Sequence, residues 1–240
     1  MIRWLKKFIN LILPPRCLIC GKIIENDNAL CPECFNHITF ITKPYCLHCG
    51  RPLSFTNLDK DLCCPKCLTK KDSVFYLSRS AIEYDEYSKK LILDFKFSDH
   101  LENRYLLTQW LIFAGKDIFD THPDIILPVP LHYSRLFQRK YNQSAILVRE
   151  LSKKTHIPAY YNILKKCRYT KPQVICNGKQ RRKNIKDAFI ITNPDFVKNK
   201  NIILVDDVYT TGSTLKECAK VLKKCGAKNI STLTVARVIE

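Results

Sequence analysis

Eight cysteines near the start of the chain restrict its fold more than any other feature of the sequence. They stand in four pairs, each with two residues between its members: "CLIC" (Cys17, Cys20), "CPEC" (Cys31, Cys34), "CLHC" (Cys46, Cys49) and "CPKC" (Cys64, Cys67). Two intervening residues let one tight turn aim both thiolates at a single ion, and four thiolates close a tetrahedral site that leaves no position open for water. Such a site is structural, and four pairs in series specify two of them, each suited to zinc. The spacing leaves sequential and interleaved pairing both open. Sequential pairing, the simpler, groups Cys17, Cys20, Cys31 and Cys34 on one ion and Cys46, Cys49, Cys64 and Cys67 on the other. Cys63 competes with Cys64 for the eighth position, and Cys64 keeps the two-residue turn. Thirteen cysteines in a small secreted chain would read as disulfides, but nine of them fall in the first 67 residues and no secretion signal precedes them. In a reducing compartment paired cysteines read as metal sites. The intervening sequence has little periodic apolar pattern, so metal binding must supply the folding energy that a core would otherwise provide.

The second constraint lies near the other end, in "NIILVDDVYTTGSTL" (201–215). Ile202, Ile203, Leu204 and Val205 form a short unbroken run that suits a strand buried on both faces of a parallel sheet. Leu215, Cys218, Ala219, Leu222 and Cys225 then recur at helical spacing, with Gly226 as a stop. The stretch predicts a strand ending at the aspartates, a loop and a helix. Its polar residues fall at the carboxyl edge of the sheet, where open α/β sheets bind ligands. A plain helix cap needs one small polar residue. Here Thr210, Thr211, Gly212, Ser213 and Thr214 follow in a row. Small residues at a helix N-terminus leave backbone N–H groups bare before the positive end of the helix dipole, which suits a phosphate. Asp206 and Asp207 would repel a phosphate, so they suit sugar hydroxyls or Mg²⁺. Phosphate, sugar and metal together describe a phosphoribosyl ligand.

The segment "ILVDDVYTTGST" resembles the phosphoribosyl-pyrophosphate loop of type I phosphoribosyltransferases, and neither a GxxxxGK[ST] nor a strand-linked GxGxxG competes with it. Four cysteine pairs ahead of such a loop resemble the ComF family of competence-associated, phosphoribosyltransferase-like proteins. The resemblance extends to "PVPLH" (128–132), "RLFQRKYNQS" (135–144) and "RRKNIKDAF" (181–189), with Lys140 standing where the family commonly has a glycine. It implies that Asp206 and Asp207 meet the ribose hydroxyls, that residues 210–214 surround the 5′-phosphate, and that Mg²⁺ accompanies the ligand. Arg135, Arg139, Arg181 and Arg182 are then candidates for the pyrophosphate end or for nucleic acid. It also implies a role in DNA uptake, beside other uptake proteins.

Between these ends, residues 74–84 read as a strand or a hairpin arm, residues 101–114 as a helix and "DIILPVP" (124–130) as a second buried strand, and Asn142 opens a helix carrying Ala145, Val148 and Leu151. This alternation predicts a mostly parallel sheet with helices on both faces, spanning residues 71–240, behind a zinc-ribbon unit over residues 1–70. "PVPLH" then forms a second loop at the same sheet edge.

The chain carries a formal charge of +18. Two zinc sites with four thiolates each lower it to about +14. Residues 131–186 hold fifteen Lys or Arg against one acid, Glu150, with Tyr141, Tyr160, Tyr161 and Tyr169 interleaved. A few arginines suffice for a pyrophosphate. The surplus suits the backbone of single-stranded DNA, with tyrosines stacking bases.

Three classes of function follow. One is a phosphoribosyl-pyrophosphate site in a protein of DNA uptake and single-strand handling, with phosphoribosyl transfer or with binding alone. The second is a phosphoribosyltransferase of nucleotide metabolism without a DNA role. The third, a zinc-ribbon DNA-binding regulator, leaves the C-terminal loop without a purpose. No run approaches the roughly 18 apolar residues of a membrane span. The opening "MIRWLKKFINLILPP" reads as an amphipathic helix docked on the protein, with contact at the inner membrane surface through Trp4 and Phe8 as the alternative. The expected location is the cytoplasm.

Overall fold

In the computed structural model, which describes residues 13–53, 62–69, 74–97, 101–167 and 187–239, the two apolar runs become neighbouring parallel strands. The expected N-terminal amphipathic helix, Tyr169, Arg181 and Arg182 lie outside the described residues.

The main sheet has four parallel strands: β1 (Ser78–Glu83), β2 (Ile125–Pro128), β5 (Asn201–Tyr209) and β6 (Asn229–Arg237), in the order β1-β6-β5-β2. Side chains alternate across a strand, so β5 feeds two cores. Ile203 and Val205 pack with Leu107, Leu111, Leu147 and Leu151 on one face, and Ile202 and Leu204 pack with Leu215, Cys218 and Leu222 on the other. The first face is covered by helices α3 (Glu86–Phe97), α4 (Asn103–Ala114) and α7 (Gln143–Thr155). The second is covered by α9 (Ser213–Lys224) and a small antiparallel pair, β3 (Leu164–Lys166) with β4 (Phe189–Ile191). Short helices α5 (Lys116–Phe119), α6 (Tyr133–Arg139) and α8 (Pro194–Val197) complete this part. No described helix is long and apolar enough to cross a membrane.

One expectation fails here. The strand does not end at the aspartates: β5 runs on to Tyr209, paired with β6 up to Arg237, whereas its pairing with β2 stops at Val205 opposite Pro128. Pro128 has no N–H to extend the ladder, and the chain turns away after Val129. Asp206 and Asp207 therefore sit within the strand, on a stretch bordered by β6 alone among the described strands.

The front end is two copies of one unit. In each, a CxxCG turn closes with a glycine N–H on the first cysteine carbonyl: Gly21 to Cys17 at 2.9 Å, and Gly50 to Cys46 at 2.8 Å. The other pair of each unit opens a short helix behind a cysteine cap and a proline, α1 (Pro32–Asn36) after Cys31 and α2 (Pro65–Leu68) after Cys64. The front end also rests on the sheet. Ile41 N–H bonds Ala81 O and Glu83 N–H bonds Thr39 O, both at 2.9 Å, so this segment covers the outer edge of β1. Phe40 meets the Trp110 ring edge-on at 5.1 Å, and Ile38 joins the main core.

Candidate functional site

Each group of four cysteines gathers its sulfurs within 4.8 Å of one another, and the groups are sequential: Cys17, Cys20, Cys31 and Cys34, then Cys46, Cys49, Cys64 and Cys67. Cys64, not Cys63, completes the second group. The Sγ atoms of Cys20 and Cys31 are 3.7 Å apart, as are those of Cys49 and Cys64. A tetrahedron with Zn–S bonds of about 2.3 Å has edges of about 3.8 Å, so both tetrads fit a structural zinc. Backbone N–H groups point at the sulfurs, Cys34 N to Cys31 Sγ at 3.4 Å and Cys64 N to Cys46 Sγ at 3.3 Å. Burial opposes ionisation of Cys17 and Cys46, yet backbone N–H groups of Cys20, Cys31 and Ile19 around the first and of Cys49, Cys64 and His48 around the second, with the adjacent thiols, bring each down to about 6. That favours the thiolate a metal requires.

At the carboxyl edge of the sheet, the stretch of β5 beyond its pairing with β2 faces α3 and α7. Ser144, in the first turn of α7, donates its hydroxyl to Asp206 Oδ1 at 3.0 Å, and the Asp207 N–H bonds the same oxygen at 3.0 Å. Lys96, near the end of α3, pairs with Asp207 Oδ2 at 3.1 Å, both side chains being mostly buried. Burial, then the neighbouring Asp207 charge, pushes Asp206 up to about 7 against these favourable contacts. The two like charges are thus held by one cation and two donors rather than by solvent.

The loop that follows is shaped for close approach. Gly212 is the N-cap of α9 with φ +67, and a Cβ there would stand 2.4 Å from Cζ and the hydroxyl of Tyr209. Only glycine meets both conditions without strain. Ser213 does not cap the helix. Its hydroxyl lies 2.7 Å from Thr211 Oγ1. Gly212 itself offers α9 no side-chain cap, and Thr211 Oγ1 accepts from the Ser213 N–H at 3.4 Å.

The second expected loop sits at the same edge. Val129 N–H bonds Val205 O at 2.9 Å, and Asn142 caps α7 while its amide donates to Val129 O at 3.1 Å. His132, buried, caps α6 and lies 2.8 Å from the Ser134 hydroxyl through Nδ1. Lys140 takes the left-handed conformation, φ +63, which explains a preference for glycine there.

Of the four arginine candidates, two are described. Arg135 lies within electrostatic reach of Lys166, whose amine burial and then Arg135 depress to about 8, with Asp206 pulling the other way. Arg139 turns elsewhere: it donates to Gln143 Oε1 at 3.2 Å and stacks 4.8 Å over the Phe97 ring. Lys96, Ser144 and Lys166 are site residues that sequence reasoning missed.

The tyrosines also divide. Tyr141 is half-buried and donates to Phe95 O at 2.9 Å, so it anchors α3 instead of standing free to stack. Tyr160 packs edge-on against Phe196. Tyr161 is exposed, and the most exposed aromatic rings among the described residues are on α6, where Tyr133 is 76% and Phe137 90% exposed beside a groove of about 910 Å³.

Two family models match the chain. A family model described as a double zinc ribbon domain matches residues 8–68, and one described as a phosphoribosyl transferase domain matches residues 142–240. Competence protein F of Haemophilus influenzae is 35% identical over 230 residues, covering 92% of this chain and 96% of that protein. DNA utilization protein YhgH of Escherichia coli O157:H7 is 30% identical (93% and 90% covered), and competence protein ComFC of Bacillus subtilis 27% identical (92% and 94%). With both domains in order and likeness to competence protein F along nearly the whole of each chain, this protein belongs to the ComF family.

Proposed function

We propose that this protein binds phosphoribosyl pyrophosphate with Mg²⁺ at the carboxyl edge of its sheet and serves DNA uptake, where it handles incoming single strands. The observation that carries the reading is the junction of β5 and α9. Two acidic residues precede a left-handed glycine at the N-terminus of a twelve-residue helix. In this assignment residues 210–214 hold the 5′-phosphate by backbone N–H groups and hydroxyls, and Asp206 and Asp207 accept from the ribose hydroxyls. Lys166, within electrostatic reach of Arg135 and Asp206, supports giving this pair of cations to the pyrophosphate. Mg²⁺ binds hard oxygens through one or two carboxylates plus phosphates, so it would arrive with the ligand.

The reaction such a site suits is phosphoribosyl transfer. The bond from the ribose anomeric carbon to pyrophosphate breaks, an acceptor atom bonds to that carbon, and cationic groups hold the departing pyrophosphate. Competence and DNA utilization are the roles its relatives are named for, and they support the uptake reading. The fifteen cations between residues 131 and 186, with Tyr133 and Phe137 exposed among them, support contact with a single strand.

Isothermal titration of phosphoribosyl pyrophosphate with Mg²⁺ tests the site. Wild type should bind, and Asp206→Asn with Asp207→Asn should lose binding while retaining the folded far-UV spectrum, since each lost charge-assisted bond is worth roughly 1.5–3 kcal/mol. Equal affinity in the double variant sinks the assignment. Pyrophosphate release with candidate acceptors separates an enzyme from a binding protein.

A further inference from the structure

The last residues of the two central strands link the second cysteine tetrad to the glycine loop. Tyr209 and Arg237 are register partners at the ends of β5 and β6, each 8% exposed. The Arg237 guanidinium carbon stands 4.5 Å from the Tyr209 ring centroid, and its Nη1 donates to the carbonyl of Cys49. The far end of the same ring fills the space against Gly212 that a Cβ would need. Cys49 is in turn held on the sheet. A Cβ on Gly50 would meet Ser78 O at 2.4 Å, and Ser78 N–H bonds His48 O at 2.8 Å. The layers therefore run Cys49 carbonyl, guanidinium, phenol ring, Gly212. Each layer is buried or in close contact with the next.

We infer that Arg237 and Tyr209 are positioning residues for the glycine loop, and that through them zinc at the second tetrad and an anion at the loop favour one another. A closed tetrad fixes the Cys49 carbonyl. That carbonyl orients a buried guanidinium, which is strongly disfavoured without its partner. The flat stack then sets the ring against which Gly212 takes its left-handed turn. Coupling of this kind is reciprocal: whatever zinc does to anion affinity, the anion does to zinc affinity. The inference rests on the phosphoribosyl reading only for the identity of the anion.

The test uses full-length, zinc-loaded protein and the variant Arg237→Met, which keeps the length of the side chain without its donors or charge. The variant should retain two zinc ions, bind phosphoribosyl pyrophosphate roughly tenfold more weakly, within the usual range of coupling between sites, and exchange the amide hydrogens of residues 211–215 faster. Exchange at Ile203–Val205 should be unchanged. Saturating phosphoribosyl pyrophosphate should slow chelator removal of the second zinc from wild type and not from the variant, and Arg237→Lys should recover part of the affinity. Affinity within twofold together with unchanged exchange overturns the inference. If wild type binds no phosphoribosyl pyrophosphate, the phosphoribosyl reading fails and the exchange measurement alone decides: faster exchange in the variant sustains the link, and unchanged exchange overturns it. Should Arg237→Met not fold, Arg237→Lys goes through the same measurements, an intermediate loss being expected and no loss overturning.

Discussion

Asp206→Asn should make the ligand-free protein more stable, and by an amount that depends on pH. Asp206 is half-buried, beside Asp207, and these two influences push its carboxyl from 3.8 up to about 7. A carboxyl whose value is raised on folding holds its proton more tightly in the folded state, so ionisation disfavours folding. That penalty is absent below about 4, grows as the pH climbs, and is complete above about 7. A gap of about three pH units at about 1.4 kcal/mol each sets a ceiling of about 4 kcal/mol. Remaining contact with solvent brings the expected value to about 2 kcal/mol. Asparagine is neutral at every pH and keeps an oxygen for the Ser144 hydroxyl and the Asp207 N–H. At pH 8 the variant should therefore unfold about 4–8 °C higher, given roughly 2–4 °C per kcal/mol for a domain of this size. The gain should shrink through pH 6 and 5. Zinc loss on acidification affects both proteins alike and drops out of the difference. Thermal unfolding by circular dichroism across this range is the assay, with the Asp206 carboxyl carbon followed by NMR. A gain that is equal at pH 5 and pH 8, or a carboxyl titrating near 4, refutes the reasoning. The same variant should bind phosphoribosyl pyrophosphate less well, because a site poised for a ligand is a strained one without it.

The strand, loop and helix around Asp206 were legible because each rests on a local rule: an apolar run, a cluster of small residues, then a helical period. The extension of β5 past Val205 was not. Two adjacent acids look like the end of a strand, and what keeps them in one is distant: pairing with β6, a hydroxyl from Ser144 and the ammonium of Lys96, more than a hundred residues earlier. Lys96 itself follows Phe95 on a helix whose Leu91, Ile92 and Phe95 are core, and nothing local tells it from a surface lysine. Cysteine spacing gave two metal sites but left their pairing open. The recurrence of CxxCG and CPxC in each half, visible in the sequence, carries the sequential answer that the sulfur positions give. Tyr141 was misread because composition reports an aromatic among cations and says nothing of a hydroxyl turned to Phe95 O. Seating of Thr39–Ile41 on the edge of β1 is a tertiary choice with no local signal.

Purified, reduced protein should contain two zinc ions per chain, and Cys46→Ser, at a fully buried ligand, should release one of them while the first tetrad stays loaded; metal analysis returning one ion or none from wild type contradicts the tetrads. Single-stranded DNA should bind with little sequence preference and a log–log salt slope of about −0.7 per phosphate contacted, since backbone neutralisation releases counterions. Arg181→Glu with Arg182→Glu should flatten that slope by about one to two. Phe137→Ala should weaken binding at unchanged slope, because stacking on an exposed ring displaces no counterion. Tyr141→Ala should instead lower thermal stability, since it removes an anchor of α3. The two kinds of variant separate the contributions: a charge reversal that leaves the slope alone, or a Phe137→Ala that changes it, would show that these cations and this ring do not hold the strand. No binding even at low salt would leave the cations to the pyrophosphate and favour a transferase of nucleotide metabolism.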